Sequence, residues 1–169
     1  MVREPQKLIE VLRHIATNVS IVTTRDGGVL HGMTVTMWAE AVQPPRVLIT
    51  LNRQAKTYGH IKRSRVFAVS LLSETQEELA LRFGQADVPH GELFSSISYR
   101  TEVTGSPVLH GCVAFFDCRV EAFYPFGSFD IVTGQVETAG LGPADKPLVY
   151  YASHLGRLVP FGPTVPYPP

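Results

Sequence analysis

Charge is scarce and balanced. The 169 residues carry 15 Lys and Arg against 15 Asp and Glu, so only 18% are charged and the formal net charge is zero. No basic stripe runs along the chain, which argues against a nucleic-acid partner. Long apolar runs are missing too. Stretches such as Val66-Phe67-Ala68-Val69 are too short to span a membrane. The opening Met1-Val2-Arg3-Glu4-Pro5 lacks the apolar core of a signal peptide. Two cysteines make no disulfide scaffold, and Cys112 and Cys118 read as reduced thiols of a cytoplasmic protein. Six apart on one expected strand, they face the same side as small core residues.

Catalytic signatures are also missing. The six histidines (His14, His31, His60, His90, His110 and His154) show no ligand spacing and no His-Glu-x-x-His. The cysteine spacing does not fit a zinc knuckle. Gly-x-Ser-x-Gly and Walker loops are absent. No metal is expected.

What is present is an apolar share of 44%, enough for one packed domain. We read that domain as residues 1–158, followed by a tail, 159–169, with five prolines and an extended form. Leu8, Ile9, Leu12 and Ile15 mark one face of a helix over residues 5–15. Val19-Ser20-Ile21-Val22-Thr23-Thr24 reads as a strand, and Asp26-Gly27-Gly28 as a hairpin turn. Strands follow at 30–37, 47–51, 66–72, 113–123 and 131–136. Short helices are expected at 56–63 and after the capping box Ser73-Glu74-Thr75-Gln76. Residues 84–106 read as irregular. About six strands without regular helical crossovers predict a mainly β chain, an antiparallel barrel with peripheral helices.

Two stretches stand out. One is Gly32-Met33-Thr34-Val35-Thr36-Met37-Trp38-Ala39-Glu40-Ala41-Val42-Gln43-Pro44-Pro45. The other is Leu51-Asn52-Arg53-Gln54-Ala55-Lys56-Thr57, where a strand meets a helix. Helix N-termini offer free N–H groups to a phosphate, and Arg53, Lys56 and Thr57 add charge and a hydroxyl. Each stretch alone also fits an ordinary strand or a capped helix.

Together they resemble the flavin reductase-like family, the FMN-binding split barrel. Thr17-Asn18-Val19-Ser20-Ile21-Val22-Thr23-Thr24 resembles its opening strand, and His31-Gly32-Met33-Thr34-Val35-Thr36 with Pro44-Pro45 its flavin motif. Val66-Phe67-Ala68-Val69-Ser70-Leu71-Leu72, Pro107-Val108-Leu109-His110-Gly111-Cys112, and Gly127 with Gly134 match later stretches. The resemblance implies a six-stranded antiparallel split barrel, a homodimer, and NADH- or NADPH-dependent reduction of FMN, with FAD as the alternative flavin. It implies a free-standing flavin reductase or one serving a separate monooxygenase.

By position, Thr34, Val35, Thr36, Met37 and Trp38 would lie along the isoalloxazine and ribityl chain. Leu51, Asn52, Arg53, Ala55, Lys56 and Thr57 would hold the ribityl and phosphate, and Arg82 and Phe83 would close the pocket. The chain departs from the family in Glu40-Ala41-Val42, where Ser-x-Ser is common, within a loop one residue shorter. Glu40 would repel a phosphate and is expected to point elsewhere. In Gly127-Ser128-Phe129-Asp130, Phe129 stands where the family often has a nicotinamide-side histidine. An FMN-binding electron carrier without NAD(P)H oxidation, or a non-enzymatic split-barrel module, stays open on these grounds.

Overall fold

The computed structural model describes residues 5–35, 37–85, 88–160, 162 and 164. Helix α1 (Pro5–Leu12) precedes strands β1 (Thr17–Asn18), β2 (Ser20–Asp26), β3 (Val29–Val35), β4 (Met37–Val42) and β5 (Pro45–Asn52). Next come α2 (Lys56–Ser64), β6 (Val66–Leu71), α3 (Glu77–Gly84), α4 (His90–Ser95), β7 (Tyr99–Thr101) and β8 (Pro107–Leu109). The long strands β9 (Ala114–Phe126) and β10 (Phe129–Leu141) follow, then β11 (Leu148–Tyr151) and β12 (His154–Arg157).

The main sheet is antiparallel, in the order β3-β2-β6-β9-β10-β5-β4. Its two edges, β3 and β4, are separated in the chain by a single residue. Val35 pairs with Ser20 of β2, whereas Met37 pairs with Ile49 of β5. One stretch of chain therefore borders both ends of the sheet, which closes it into a barrel of six chain segments, as expected.

Alternation fills the interior. In β5, Val47, Ile49 and Leu51 are buried while their neighbours are half-buried. They meet Val22, Phe67, Val69, Cys118 and Val132, with Tyr58 and Ile61 of α2 packed against the same cluster. A second cluster joins Ile21, Leu72 and Leu148 to Phe83 of α3 and to Leu93 and Phe94 of α4. Each fully buried Leu, Ile or Phe contributes about 1.5–3 kcal/mol. Gly27 and Gly28 both take positive φ in the two-residue β2–β3 turn, as the sequence predicts.

Several expectations need correction. Helix α1 ends at Leu12, and its apolar residues are not buried: Ile9 and Leu12 are each 51% exposed. The helix after residue 73 begins at Glu77. Gln76 Oε1 accepts the Ser73 N–H, but the Ser73 hydroxyl meets Thr75 instead, so only half of a capping box forms, in a turn before the helix. Residues 84–106 are not wholly irregular, because they hold α4 and β7. The β11–β12 hairpin, paired through β11 with β1, was not expected. Its turn uses Ala152 and Ser153 at positive φ, where Asn-Gly would have announced it. Cys112 lies before β9, in a different buried cluster from Cys118, so the two thiols do not share a strand face. Beyond Arg157, the described tail residues form no helix or strand. No helix among the described residues is long and apolar enough to cross a membrane.

Gly134 shows how tightly the barrel closes. A Cβ there would lie 2.5 Å from Phe67 Cζ and 3.1 Å from Cys118 Cβ, beside a bulge in the β9–β10 ladder. Both neighbours are fully buried. We expect Gly134→Ala to destabilise the fold by about 1–3 kcal/mol through overpacking. A urea melt that matches the parent would contradict this packing.

Candidate functional site

A cleft of about 650 Å³ opens at the barrel rim. Met33, Thr34 and Val35 of β3 and Thr50 and Asn52 of β5 form its floor, and α3, Phe129 and Tyr150 form its walls. A smaller compartment of about 270 Å³ shares Met33, Thr34, Gly84 and Gln85 with it, so the two adjoin. The close approach of α3 requires Gly32, where a Cβ would lie 2.7 Å from the Phe83 ring.

The first turn of α2 borders the small compartment through Ala55, Lys56 and Thr57. Asn52 builds the approach to it. Its Oδ1 accepts the Gln54 N–H at 2.9 Å and its carbonyl accepts the Ala55 N–H at 3.0 Å. The cap residue is Ala55, which has no side-chain oxygen to give. The N–H groups of Lys56 and Thr57 therefore have no acceptor within the helix. A helix start of this kind, with its positive dipole end and a lysine, is chemically suited to an anion. Two contacts dock α2 on β3: the Thr57 hydroxyl donates to the Gly32 carbonyl at 3.1 Å, and the His60 ring stacks on His31 at 3.5 Å.

The residues singled out in the sequence divide into groups. Thr34, Val35 and Asn52 line the cleft, as does Phe129, which is 41% exposed. Ala55, Lys56, Thr57 and Phe83 line the small compartment. The Thr57 hydroxyl hydrogen is committed to Gly32, and that of Thr34 to the Ala80 carbonyl at 2.8 Å, so both oxygens are left as acceptors. Leu51 points into the barrel core. Arg53 turns from the small compartment to the β9–β10 turn, donating to the Gly127 carbonyl. Arg82 turns from the cleft and donates to Ser96 Oγ at 2.8 Å. Met37 and Trp38 lie on β4, opposite Ile49 and Leu48. Thr36 lies outside the described residues, as do the side chains of Met37, Trp38 and Glu40. Sequence reasoning missed Gln85 and Tyr150 as lining residues. Gln85 follows α3 without any motif, and Tyr150 belongs to the unanticipated hairpin.

Perturbed titrations occur elsewhere. The hydrogen bond from His60 holds the Asp26 carboxyl below its usual range, and Arg46 does the same for Glu121. Burial pushes both thiols up, Cys118 much further than Cys112, with Asp117 and Glu137 adding to the effect at Cys118.

A broad cleft thus adjoins a small compartment at an uncapped helix start. The model of the flavin reductase like domain matches residues 12–158. The chain belongs to the flavin reductase-like family. Among relatives, the reductase subunit HsaB of a flavin-dependent monooxygenase from Rhodococcus jostii is 31% identical, over 98% of this chain and 83% of its own. The FMN reductase (NADH) RutF of Bradyrhizobium diazoefficiens is 30% identical over 87% and 82%. The solved structure of the NADH:FAD oxidoreductase SgcE6 of Streptomyces globisporus, in complex with NAD and FAD fragments, superposes with a TM-score of 0.85. It is 27% identical, and the match covers 95% of this chain and 98% of that one. Family membership bears out the fold and the chemistry expected from sequence, those of a flavin oxidoreductase.

The thiols take no part in that chemistry. Both are buried and free, and burial disfavours the reactive thiolate. An aromatic disulfide reagent at pH 8 should release almost nothing from the native protein and two equivalents after unfolding in urea. A fast native reaction would contradict the buried placement.

Proposed function

We propose that the chain transfers hydride from NADH or NADPH to FMN, and that the reduced flavin serves a separate monooxygenase. The observation that carries this reading is the uncapped first turn of α2 in a small compartment that adjoins the cleft. It suits a flat ring in the larger space and a phosphate in the smaller. When bound, the flavin supplies the hydride acceptor, so the chain itself needs no acid–base pair. The Lys56 and Thr57 amides and the Lys56 ammonium hold the phosphate. The Thr34 oxygen accepts from a ribityl hydroxyl. Val35 and Met33 give the ring an apolar bed, and Phe129 forms the nicotinamide-side wall, where an aromatic face aids stacking without donating a hydrogen bond. Chemical work is then mostly orientation and exclusion of water.

The apolar face of α1 supports a homodimer. Leu8, Ile9 and Leu12, with Ile15 just beyond the helix, stay exposed in the single chain, an apolar face that a two-fold partner can cover. The two free cysteines suit a reducing compartment, and we place the protein in the cytoplasm.

The phosphate assignment is tested by Ala55→Asp. A carboxylate cap should stabilise the flavin-free protein by about 0.5–1 kcal/mol. It should also weaken FMN binding by roughly tenfold or more, through repulsion in a partly desolvated pocket. Riboflavin, which has no phosphate, should change far less. Equal losses for the two ligands would remove the assignment. For the dimer, light scattering should give roughly twice the 18.6 kDa chain mass, and Leu12→Lys should shift it towards one chain. A parent protein that scatters as a single chain would rule the dimer out.

A further inference from the structure

The tip of the β9–β10 hairpin stands clear of the barrel. Residues 124–129 are all exposed, and Phe126 pairs with Phe129 across the Gly127-Ser128 turn. Strand β5 accompanies β10 only as far as Asn52, opposite Phe129. Beyond that point the tip is held by one residue of the next loop. The Arg53 N–H donates to the Ser128 carbonyl at 3.2 Å, and its guanidinium donates to the Gly127 carbonyl. The same guanidinium lies 3.8 Å from Asp130 Oδ1.

Asp130 is only 5% exposed. Its Oδ2 accepts the Tyr58 hydroxyl at 2.7 Å, whereas Oδ1 is buried without a hydrogen bond. A buried oxygen in that state is costly unless a charge compensates it, and the charge beside it is Arg53. Asp130 therefore touches α2 through Tyr58, one residue past the anion site, and the hairpin tip through Arg53. Phe129 lies between the two anchored neighbours, Ser128 and Asp130.

We propose that Asp130 is a positioning residue which, acting through Arg53, sets Phe129 at the cleft and ties it to the first turn of α2. This rests on reading the cleft as the flavin and nicotinamide site. Arg53 is then a brace and not a phosphate ligand. Loosening it moves the nicotinamide-side wall and leaves the phosphate pocket intact.

The test compares Asp130→Asn, Arg53→Gln and the double variant. Asn at 130 keeps an acceptor for Tyr58 and loses the charge. In flavin-free protein, amide exchange at Arg53 and across residues 128–131 should quicken roughly fivefold in each single variant, and no further in the double. With FMN, KM for NADH should rise by a similar factor while kcat changes less, and the preference for FMN over riboflavin should hold. Unchanged exchange, or additive effects in the double variant, would overturn the brace. A selective loss of FMN over riboflavin in Arg53→Gln would overturn it too, by making Arg53 a phosphate ligand. If Asp130→Asn fails to fold, Arg53→Gln, at a half-exposed side chain, decides alone. A parent protein that binds no flavin would refute the functional reading, and the exchange measurement would still judge the brace separately.

Discussion

Everything at the functional rim depends on the closure of the sheet by consecutive segments of one chain. Between Val35 and Met37 the backbone leaves the β2 ladder and enters the β5 ladder. That handover brings β3 and the end of β5 to the same rim. The loop leaving β5 must then place α2 against β3, because the helix leads straight into β6, which pairs with β2. The Thr57–Gly32 hydrogen bond and the His31–His60 stack record that docking. The small compartment at the start of α2 is thus a consequence of barrel closure more than of any single polar residue.

Polar side chains near the site are largely committed to structure. Thr34 ties β3 to α3, Thr57 ties α2 to β3, Asn52 shapes the loop before α2, and Arg82 ties α3 to the segment after α4. On the proposed reading, recognition of an anion is left to backbone N–H groups and one lysine. Backbone donors have a fixed direction and lose little rotamer entropy on binding, so such a site is organised before the ligand arrives. On that reading no catalytic motif need be visible, since amides are groups that every residue has.

What the sequence revealed follows the same division. Strand β5 was legible because Val47, Ile49 and Leu51 alternate with half-buried neighbours, and the β2–β3 turn because two glycines stand together. The start of α2 was legible as a polar strand–helix junction, but the roles within it were not. Arg53 and Thr57 look like phosphate ligands by residue type, yet their partners, Gly127 and Gly32, lie 74 and 25 residues away. The turn at Ala152-Ser153 violates the usual glycine preference, and so hid the hairpin that brings Tyr150 to the cleft. Helix α1 announced an apolar face correctly, but periodicity cannot say whether a face is covered by its own chain or by another.

The cleft walls are separable from the barrel. Helix α3 and the β11–β12 hairpin reach the rim from segments outside the main sheet, whereas the tip of β9–β10 extends two of its strands. Asp117 illustrates the support they receive: fully buried in β9, it accepts the Thr104 N–H at 2.7 Å and the Thr104 hydroxyl, pinning the excursion that carries α4 and β7. Substitutions inside the barrel, where Gly134 meets Phe67, act on the whole fold. Substitutions at Phe129, Gln85 or Tyr150 change the shape of the cleft while most of the buried apolar area stays in place. Local stability is lowest where chain is exposed, and residues 124–129 at the hairpin tip are exposed. A rim built this way can be reshaped at Phe129 while the start of α2 stays fixed by its docking on β3.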